Sequence, residues 1–332
     1  MDMTQEKFMN MMRAYNETCV AWTGLELGVF QKLGAKPMDA AAAAKAIKCS
    51  KRGTEPLLNA LVSIGLLEKK KGVFSLAPFS KKYLVEGAPD YIGSAAYHSG
   101  HLMRAWVQLP DSVRTGNPAP RPPADSPEAK KRHRHFILAM NDNASRMAAL
   151  VVKQLDLRGV KRVIDVGGGP GTYAFEFARA IPGGSVAVFD TPPTCAIARE
   201  RIMQNGFQSQ VGTIEGDFMK DNLGTGFDLA LMANILHIYS PAENKRLMKK
   251  GFKALEPGGQ LAVVEFALDP DGTTPVSGAM FSINMLVNTS GGAAYPTADI
   301  VEWMKSAGFE RVKVLPIDGR AVAIVGRKPK KK

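Results

Sequence analysis

Four glycines in five positions, Gly167-Gly168-Gly169-Pro170-Gly171, follow the run Val163-Ile164-Asp165-Val166. Glycine lets a backbone turn sharply and lets a ligand approach it closely, so such a loop after a strand reads as a binding loop. Taken alone it suits a dinucleotide as well as S-adenosylmethionine. Three flanking features separate the two. The loop is Gly-x-Gly-x-Gly followed by Thr172, so the last glycine of the Gly-x-Gly-x-x-Gly pattern is missing. Asp165 stands ahead of the loop, where a carboxylate reaches an ammonium group directly or through water. Further on, Glu215-Gly216-Asp217-Phe218 offers a carboxylate and an aromatic face for an adenine. Asp190, ending another strand, supplies the acceptor for ribose hydroxyls in either reading. Together they favour S-adenosylmethionine over NAD, and over a tight turn with no ligand.

A sulfonium donor already carries its electrophilicity, so a protein that moves its methyl group mainly has to position two partners. An acceptor hydroxyl must lose its proton as it attacks, and an imidazole with a pKa near ~6.5 suits that task. His237 follows Met232-Ala233-Asn234-Ile235-Leu236 at a strand end, on the same edge as the glycine loop. The other histidines are His98, His101, His133 and His135. His98-x-x-His101 has ligand spacing on a helix, yet no Cys or His-Glu-x-x-His pattern accompanies it, and no metal site is expected. Lys130-Lys131-Arg132-His133-Arg134 reads as a solvated helix face.

Elements that alternate along the chain must hold these residues. Strands are expected at 161–166, 185–190, 211–215, 227–234, 260–267, 311–316 and 321–325. Helices are expected at 172–180, 193–205, 241–255 and 297–307, with an irregular stretch before the last. This is an α/β pattern, a parallel sheet covered on both faces whose ligands bind at the carboxyl ends of the strands. Ahead of it, Thr115-Gly116-Asn117-Pro118-Ala119-Pro120-Arg121-Pro122-Pro123 cannot continue a helix. The division expected is 1–104 helical, 105–150 connecting helices and Pro-rich loop, and 151–332 ligand-binding. Residues 4–30 are apolar on several faces (Phe8, Met9, Met11, Met12, Tyr15, Val20, Trp22), which implies burial against a second chain. Residues 38–77 read as a winged helix: helices at 39–47 and 54–64, then two strands around Lys71-Gly72.

At 332 residues with 45% hydrophobic and 22% charged residues, the composition is globular. No stretch approaches the ~20 apolar residues of a membrane span. The N-terminal Met1-Asp2-Met3-Thr4-Gln5-Glu6 has neither a basic nor an apolar signal region, and Cys19, Cys49 and Cys195 lie far apart. A cytoplasmic protein with reduced thiols is expected. The net charge of +12 raises nucleic-acid binding, but residues 161–326 carry 15 basic against 17 acidic groups. The surplus lies in the N-terminal half and in Arg327-Lys328-Pro329-Lys330-Lys331-Lys332, expected to be a frayed, solvated tail. The second winged-helix helix shows Glu55, Asn59 and Ser63 outward, a poor surface for base edges.

Over nearly its whole length the sequence resembles the class I S-adenosylmethionine-dependent O-methyltransferases, the group of the caffeic acid, isoflavone, acetylserotonin and hydroxyneurosporene enzymes and bacterial natural-product relatives. The resemblance rests on the winged-helix segment, Trp106-x-x-Leu109, Val113-Arg114-Thr115-Gly116, Phe136-x-x-x-Met140, the glycine loop, Asp190, Gly216-Asp217-Phe218, His237, and Pro257-Gly258-Gly259 leading to Glu265. It implies a Rossmann-like seven-stranded methyltransferase domain behind an all-α winged-helix dimerisation domain, and a homodimer. It implies S-adenosyl-L-methionine as cofactor, S-adenosyl-L-homocysteine as product, and a small apolar acceptor, aromatic, polyketide-like or isoprenoid. Gly167 and Gly169 would line the methionine, Asp190 the ribose, and Asp217 with Phe218 the adenine, with Asn234 nearby. His237 would be the base, Glu265 its orienting acid, and Met140 and Met285 acceptor contacts.

Two departures stand out. The family often has His-Asp-Trp, where this chain has His237-Ile238-Tyr239. A second acidic partner is expected after a glycine pair, but Gly291-Gly292 runs into Ala293-Ala294-Tyr295. That leaves Tyr239 and Tyr295 as candidates to share the work. The competing readings are a carbon methyltransferase on the same scaffold and a winged-helix DNA-binding regulator that senses S-adenosylmethionine. A nucleic-acid methyltransferase lacks its Asn/Asp-Pro-Pro-aromatic signature here.

Overall fold

The computed structural model describes residues 2–123, 125–319 and 321–330. They form two compact units, Met1–Arg104 and Ala105–Lys332. The first comprises α1 (Gln5–Arg13), α2 (Tyr15–Glu26), α3 (Val29–Ala35), β1 (Met38–Asp39), α4 (Ala40–Ala46), α5 (Lys51–Ser63), β2 (Leu67–Lys70), β3 (Val73–Leu76), α6 (Pro78–Tyr83) and most of α7 (Gly93–Trp106). Its core gathers Leu25, Phe30, Leu58, Leu61 and Phe74. Asp39 caps α4 and Ser50 caps α5, each side chain accepting from an N–H three residues on. Lys71 and Gly72 both take positive φ, the two-residue turn whose twist matches a hairpin. The expected two-stranded wing is a three-stranded antiparallel sheet, order β1-β3-β2, because Met38 and Asp39 pair with Phe74 and Val73. This unit is therefore not all-α. The apolar run at residues 4–30 breaks at Ala14 and again at Gly28, which sits at φ 72°. In α1 no residue is buried, and Phe8, Met11, Met12 and Tyr15 are 47–61% exposed.

The second unit continues with α8 (Leu109–Thr115), α9 (Pro127–Gln154), β4 (Arg162–Val166), α10 (Thr172–Ala180), β5 (Ser185–Asp190), α11 (Pro192–Gln204), β6 (Val211–Glu215), β7 (Phe227–Ala233), α12 (Pro241–Ala254), β8 (Leu255–Phe266), α13 (Val276–Asn288), α14 (Thr297–Ser306), β9 (Glu310–Pro316) and β10 (Ala321–Arg327). The sheet order is β6-β5-β4-β7-β8-β10-β9, with β6 through β8 parallel and β10 antiparallel to both its neighbours. Alternate residues of each central strand enter opposite cores. Val163, Leu229 and Val264 pack under α9 and α10, while Ile164, Met232 and Val263 pack under α12 and α14. The order reverses at β4, whose carboxyl end carries the glycine loop.

Two stretches differ from expectation. The segment read as irregular contains α13, a helix apolar on most faces, so no polar stripe marks its period. The basic tail is held down at its start: the Lys328 N–H donates to Gly259 O and its carbonyl accepts from Gly258. The Lys328 ammonium donates to the Phe252 and Leu255 carbonyls, 2.9 and 2.6 Å away at the end of α12. Lys331 and Lys332 lie outside the described residues. No described helix is long and apolar enough to cross a membrane. Because Lys328 satisfies the otherwise open carbonyls of a helix end, Lys328→Ala is expected to cost about 1 to 2 kcal/mol. A denaturant titration checks this, with a lower midpoint at unchanged slope.

Candidate active site

β4 delivers Asp165 to the sheet edge, and the loop then turns over it. Gly167 and Gly169 take φ of 69° and 54°, and Gly171 follows at 82°. At Gly167 a Cβ would also lie 2.7 Å from Ile235 Cγ2, and at Gly168 it would lie 2.7 Å from the Asp165 carboxyl. The loop therefore needs glycine for conformation and for space. Asp165 is 1% exposed, and neither of its oxygens has a hydrogen-bond partner. Burial, with a smaller push from Asp190, raises its pKa to about 7. A buried carboxylate with both oxygens unspent fits a ligand that brings an ammonium group to this loop.

Asp190 ends β5 with both oxygens engaged. Oδ2 accepts from Gly169 N at 3.0 Å and Oδ1 from Thr191 N at 2.7 Å. Burial raises its pKa; the two N–H groups and the Thr194 and Thr191 hydroxyls oppose the rise. Thr194 Oγ1 lies 3.0 Å from Thr191 Oγ1 and 3.3 Å from His133 Nε2. His133 is thus half-buried against α11 rather than part of a solvated face, and Arg134 pairs with Glu200. Burial lowers the His133 pKa.

Asp217 and Phe218 follow β6 in a tight turn. Burial raises the Asp217 pKa, but Lys220 and the N–H groups of Met219 and Lys220 outweigh it and leave it lowered. Phe218 is buried, edge-on to Tyr239 with ring centroids 5.7 Å apart, and within van der Waals reach of a Cβ at Gly167. The Lys250 ammonium fastens this turn through the Phe218 and Asp221 carbonyls.

β7 ends at Ala233, and Asn234, at a φ of 57°, turns the chain toward the 3-10 segment Leu236–Ile238. Such a backbone is uncommon outside glycine and is held by what surrounds it. Glu265, 4% exposed on neighbouring β8, accepts from Leu236 N at 2.8 Å and His237 N at 3.3 Å with one oxygen. Its other oxygen lies 2.8 Å from His237 Nδ1. A carboxylate oxygen accepts, so Nδ1 is the donor of this bond and Nε2 is the ring nitrogen turned away from it. Asn244 donates to the Leu236 and Tyr239 carbonyls from inside α12. On the other side Gly292 is pressed against this turn, where a Cβ would collide with the His237 carbonyl oxygen.

Tyr239 and Tyr295 stand beside this turn. Burial lifts both pKa values to about 12, and the Tyr295 hydroxyl donates to the Tyr239 carbonyl. Met285 is buried in α13, one turn after Phe281, whose ring meets the His237 ring. Met140 is half-buried in α9, and its neighbour Asn141 accepts from Thr172 at the head of α10. Asn244, Lys250, Thr194, His133, Phe281 and Gly292 were not among the residues that the sequence singled out for the site. Only Gly292 carried a signal, its pairing with Gly291.

A family model described as an O-methyltransferase domain matches residues 123–310, and one described as an O-methyltransferase dimerisation domain matches residues 9–86. The 3-hydroxy-5-methyl-1-naphthoate 3-O-methyltransferase of Streptomyces sahachiroi is 33% identical over 88% of this chain and 85% of its own. The acetylserotonin O-methyltransferase of Bos taurus is 30% identical over 93% of both chains. The crystal structure of human N-acetylserotonin methyltransferase in complex with SAM matches with a TM-score of 0.85 at 28% identity, covering 99% of each chain.

Asp165 is harder to ionise folded than unfolded, so its contribution falls as pH rises from about 4 and levels off above about 7. Asp165→Asn should therefore raise the melting temperature of the ligand-free protein at pH 8 and leave it unchanged near pH 4. Binding of S-adenosylmethionine to the wild type should release protons at pH 6 and few at pH 8.5, measured by calorimetry in buffers of different ionisation enthalpy. Gly292→Ala should displace the His237 turn and lower turnover by about 10- to 100-fold, with cofactor affinity kept within about twofold; steady-state kinetics and calorimetry test it together.

Proposed function

The chain belongs to the O-methyltransferase family whose catalytic domain follows an N-terminal dimerisation domain, and on that footing we propose that this S-adenosylmethionine-dependent enzyme methylates a hydroxyl of a small aromatic or polyketide-like acceptor, with His237 as general base. The observation that carries the reading is the His237–Glu265 pair. Its 2.8 Å hydrogen bond fixes the ring tautomer and aims the basic Nε2 away from the carboxylate. When bound, S-adenosylmethionine supplies an electrophilic methyl group on a sulfonium. Asp165 receives the ammonium, Gly167 and Gly169 admit the methionine chain, Asp190 accepts from the ribose, and Asp217, Phe218 and Asn234 border the adenosine. Glu265 orients the histidine and stabilises it once it has taken the proton.

Met140 and Met285 offer the adaptable apolar contacts that a planar acceptor needs. The naphthoate relative, whose name records an aromatic acceptor, supports that class. A homodimer through α1 and its neighbours is part of the same reading, supported by the exposed Met11, Met12 and Tyr15 within the matched dimerisation segment and by Phe8 just ahead of it. A cytoplasmic location accords with the three free cysteines.

The test is transfer of labelled methyl from S-adenosylmethionine to a panel of naphthols, hydroxynaphthoates and hydroxyanthraquinones. His237→Gln should lower turnover on the accepted substrate by about 10²- to 10⁴-fold with the cofactor dissociation constant within about twofold. Undiminished transfer by that variant would remove His237 from the chemistry.

A further inference from the structure

The His237–Glu265 hydrogen bond restrains one atom of the imidazole. It prevents the ring from flipping, but leaves it free to swing about the Nδ1···carboxylate contact. A second acid on the far side would stop that swing, and the sequence offers Ala293 and Ala294 where the family resemblance leads one to expect it. What stands against the ring instead is aromatic. Phe281 meets it at 90° with centroids 4.8 Å apart, and Phe266 lies at 6.1 Å, tilted by 60°.

The two phenylalanines are themselves locked together, centroids 4.0 Å apart at 31°. Phe266 is the last residue of β8 and directly follows Glu265, so the strand that holds the carboxylate also holds the back of this wall. Phe281 comes from α13, which approaches closely because Gly278 has no side chain: a Cβ there would lie 2.5 Å from the Ala267 carbonyl oxygen. Glycine inside a helix weakens it, and here it lets the helix press Phe281 onto Phe266 and the imidazole. His237 keeps only 10% of its side chain exposed between these contacts.

We propose that Phe281, backed by Phe266, is a positioning residue for the base: it holds the His237 imidazole at the angle that aims Nε2 at the acceptor hydroxyl, the work a second carboxylate would otherwise do. The proposal rests on His237 being the base. Aromatic edge contacts are directional, so the wall fixes an angle as well as filling space. Its loss leaves the base present and still paired with Glu265, but badly aimed. Misaim of about 1 Å suffices for losses near 10²-fold.

The experiment compares the wild type, Phe281→Leu, Phe281→Tyr and His237→Gln on one accepted aromatic substrate. Expected for Phe281→Leu is a turnover loss of about 10- to 100-fold at saturating acceptor, with acceptor KM and cofactor dissociation constant within about threefold. Phe281→Tyr, which keeps the ring, should recover most of the turnover. In proton spectra of protein labelled with ¹⁵N-histidine, the Nδ1–H signal absent from His237→Gln should be sharp in the wild type and in Phe281→Tyr, and broadened in Phe281→Leu. A loss confined to acceptor KM would make Phe281 a pocket wall and overturn the proposal, as would an unchanged Nδ1–H signal in Phe281→Leu. Should Phe281→Leu also lose cofactor binding, Phe281→Met at the same site supplies the comparison, judged by the same signal and the same kinetic split. Active His237→Gln would refute the base assignment itself, whereas inactive His237→Gln beside fully active Phe281→Leu would refute the aromatic wall alone.

Discussion

Glu265 is a charge withdrawn from water, and a buried carboxylate is tolerable only when its lone pairs are taken. This one is taken three times: by the Leu236 N–H, the His237 N–H and the His237 ring. The same side chain therefore builds the turn that carries the histidine and fixes the histidine on it. Much of the surrounding structure serves this arrangement. β7 and β8 lie side by side and bring residues 28 positions apart together. Asn234 takes its unusual backbone conformation to enter the turn, Asn244 seals the turn's carbonyls from within α12, and Gly292 closes over it.

The cofactor edge is arranged on the opposite principle. Asp190 has its oxygens directed by the Gly169 and Thr191 N–H groups, whereas Asp165, a few residues before the loop, has neither oxygen engaged. Within one crevice, one carboxylate is oriented in advance and another is left waiting for a positive partner. The unspent one costs stability in the ligand-free protein, a cost that a cationic ligand offsets.

The sheet was legible from sequence because parallel strands buried on both faces read as unbroken apolar runs, and because their ends fall at glycine and aspartate. Strands at Ser185–Asp190 and Val211–Glu215 and the helix Thr172–Ala180 match their expected limits. α13 was not legible. Val276–Asn288 is apolar around most of its circumference, so the 3.6-residue period that marks a surface helix is missing. The third strand of the first unit escaped for another reason: Met38-Asp39 is two residues long and exists only through its pairing with β3. In the site, residues with chemistry of their own (Asp165, Asp190, His237, Glu265) could be named in advance. Those that act through shape or support (Phe281, Gly292, Asn244, Lys250) could not, because their meaning lies in distant neighbours.

The place of β10 has a consequence for synthesis. It is inserted antiparallel between β8 and β9, both of which precede it in the chain. As the polypeptide emerges, β8 can dock on β7 at once, but its outer edge has no partner until residues 321–327 are made. For that interval β8 presents a row of open backbone donors and acceptors, an invitation to pair with any passing strand. The strand so exposed is the one that carries Glu265. Correct assembly of the His237–Glu265 pair is thus tied to the timely arrival of a late segment, whose Val322 lies opposite Glu265 in the ladder.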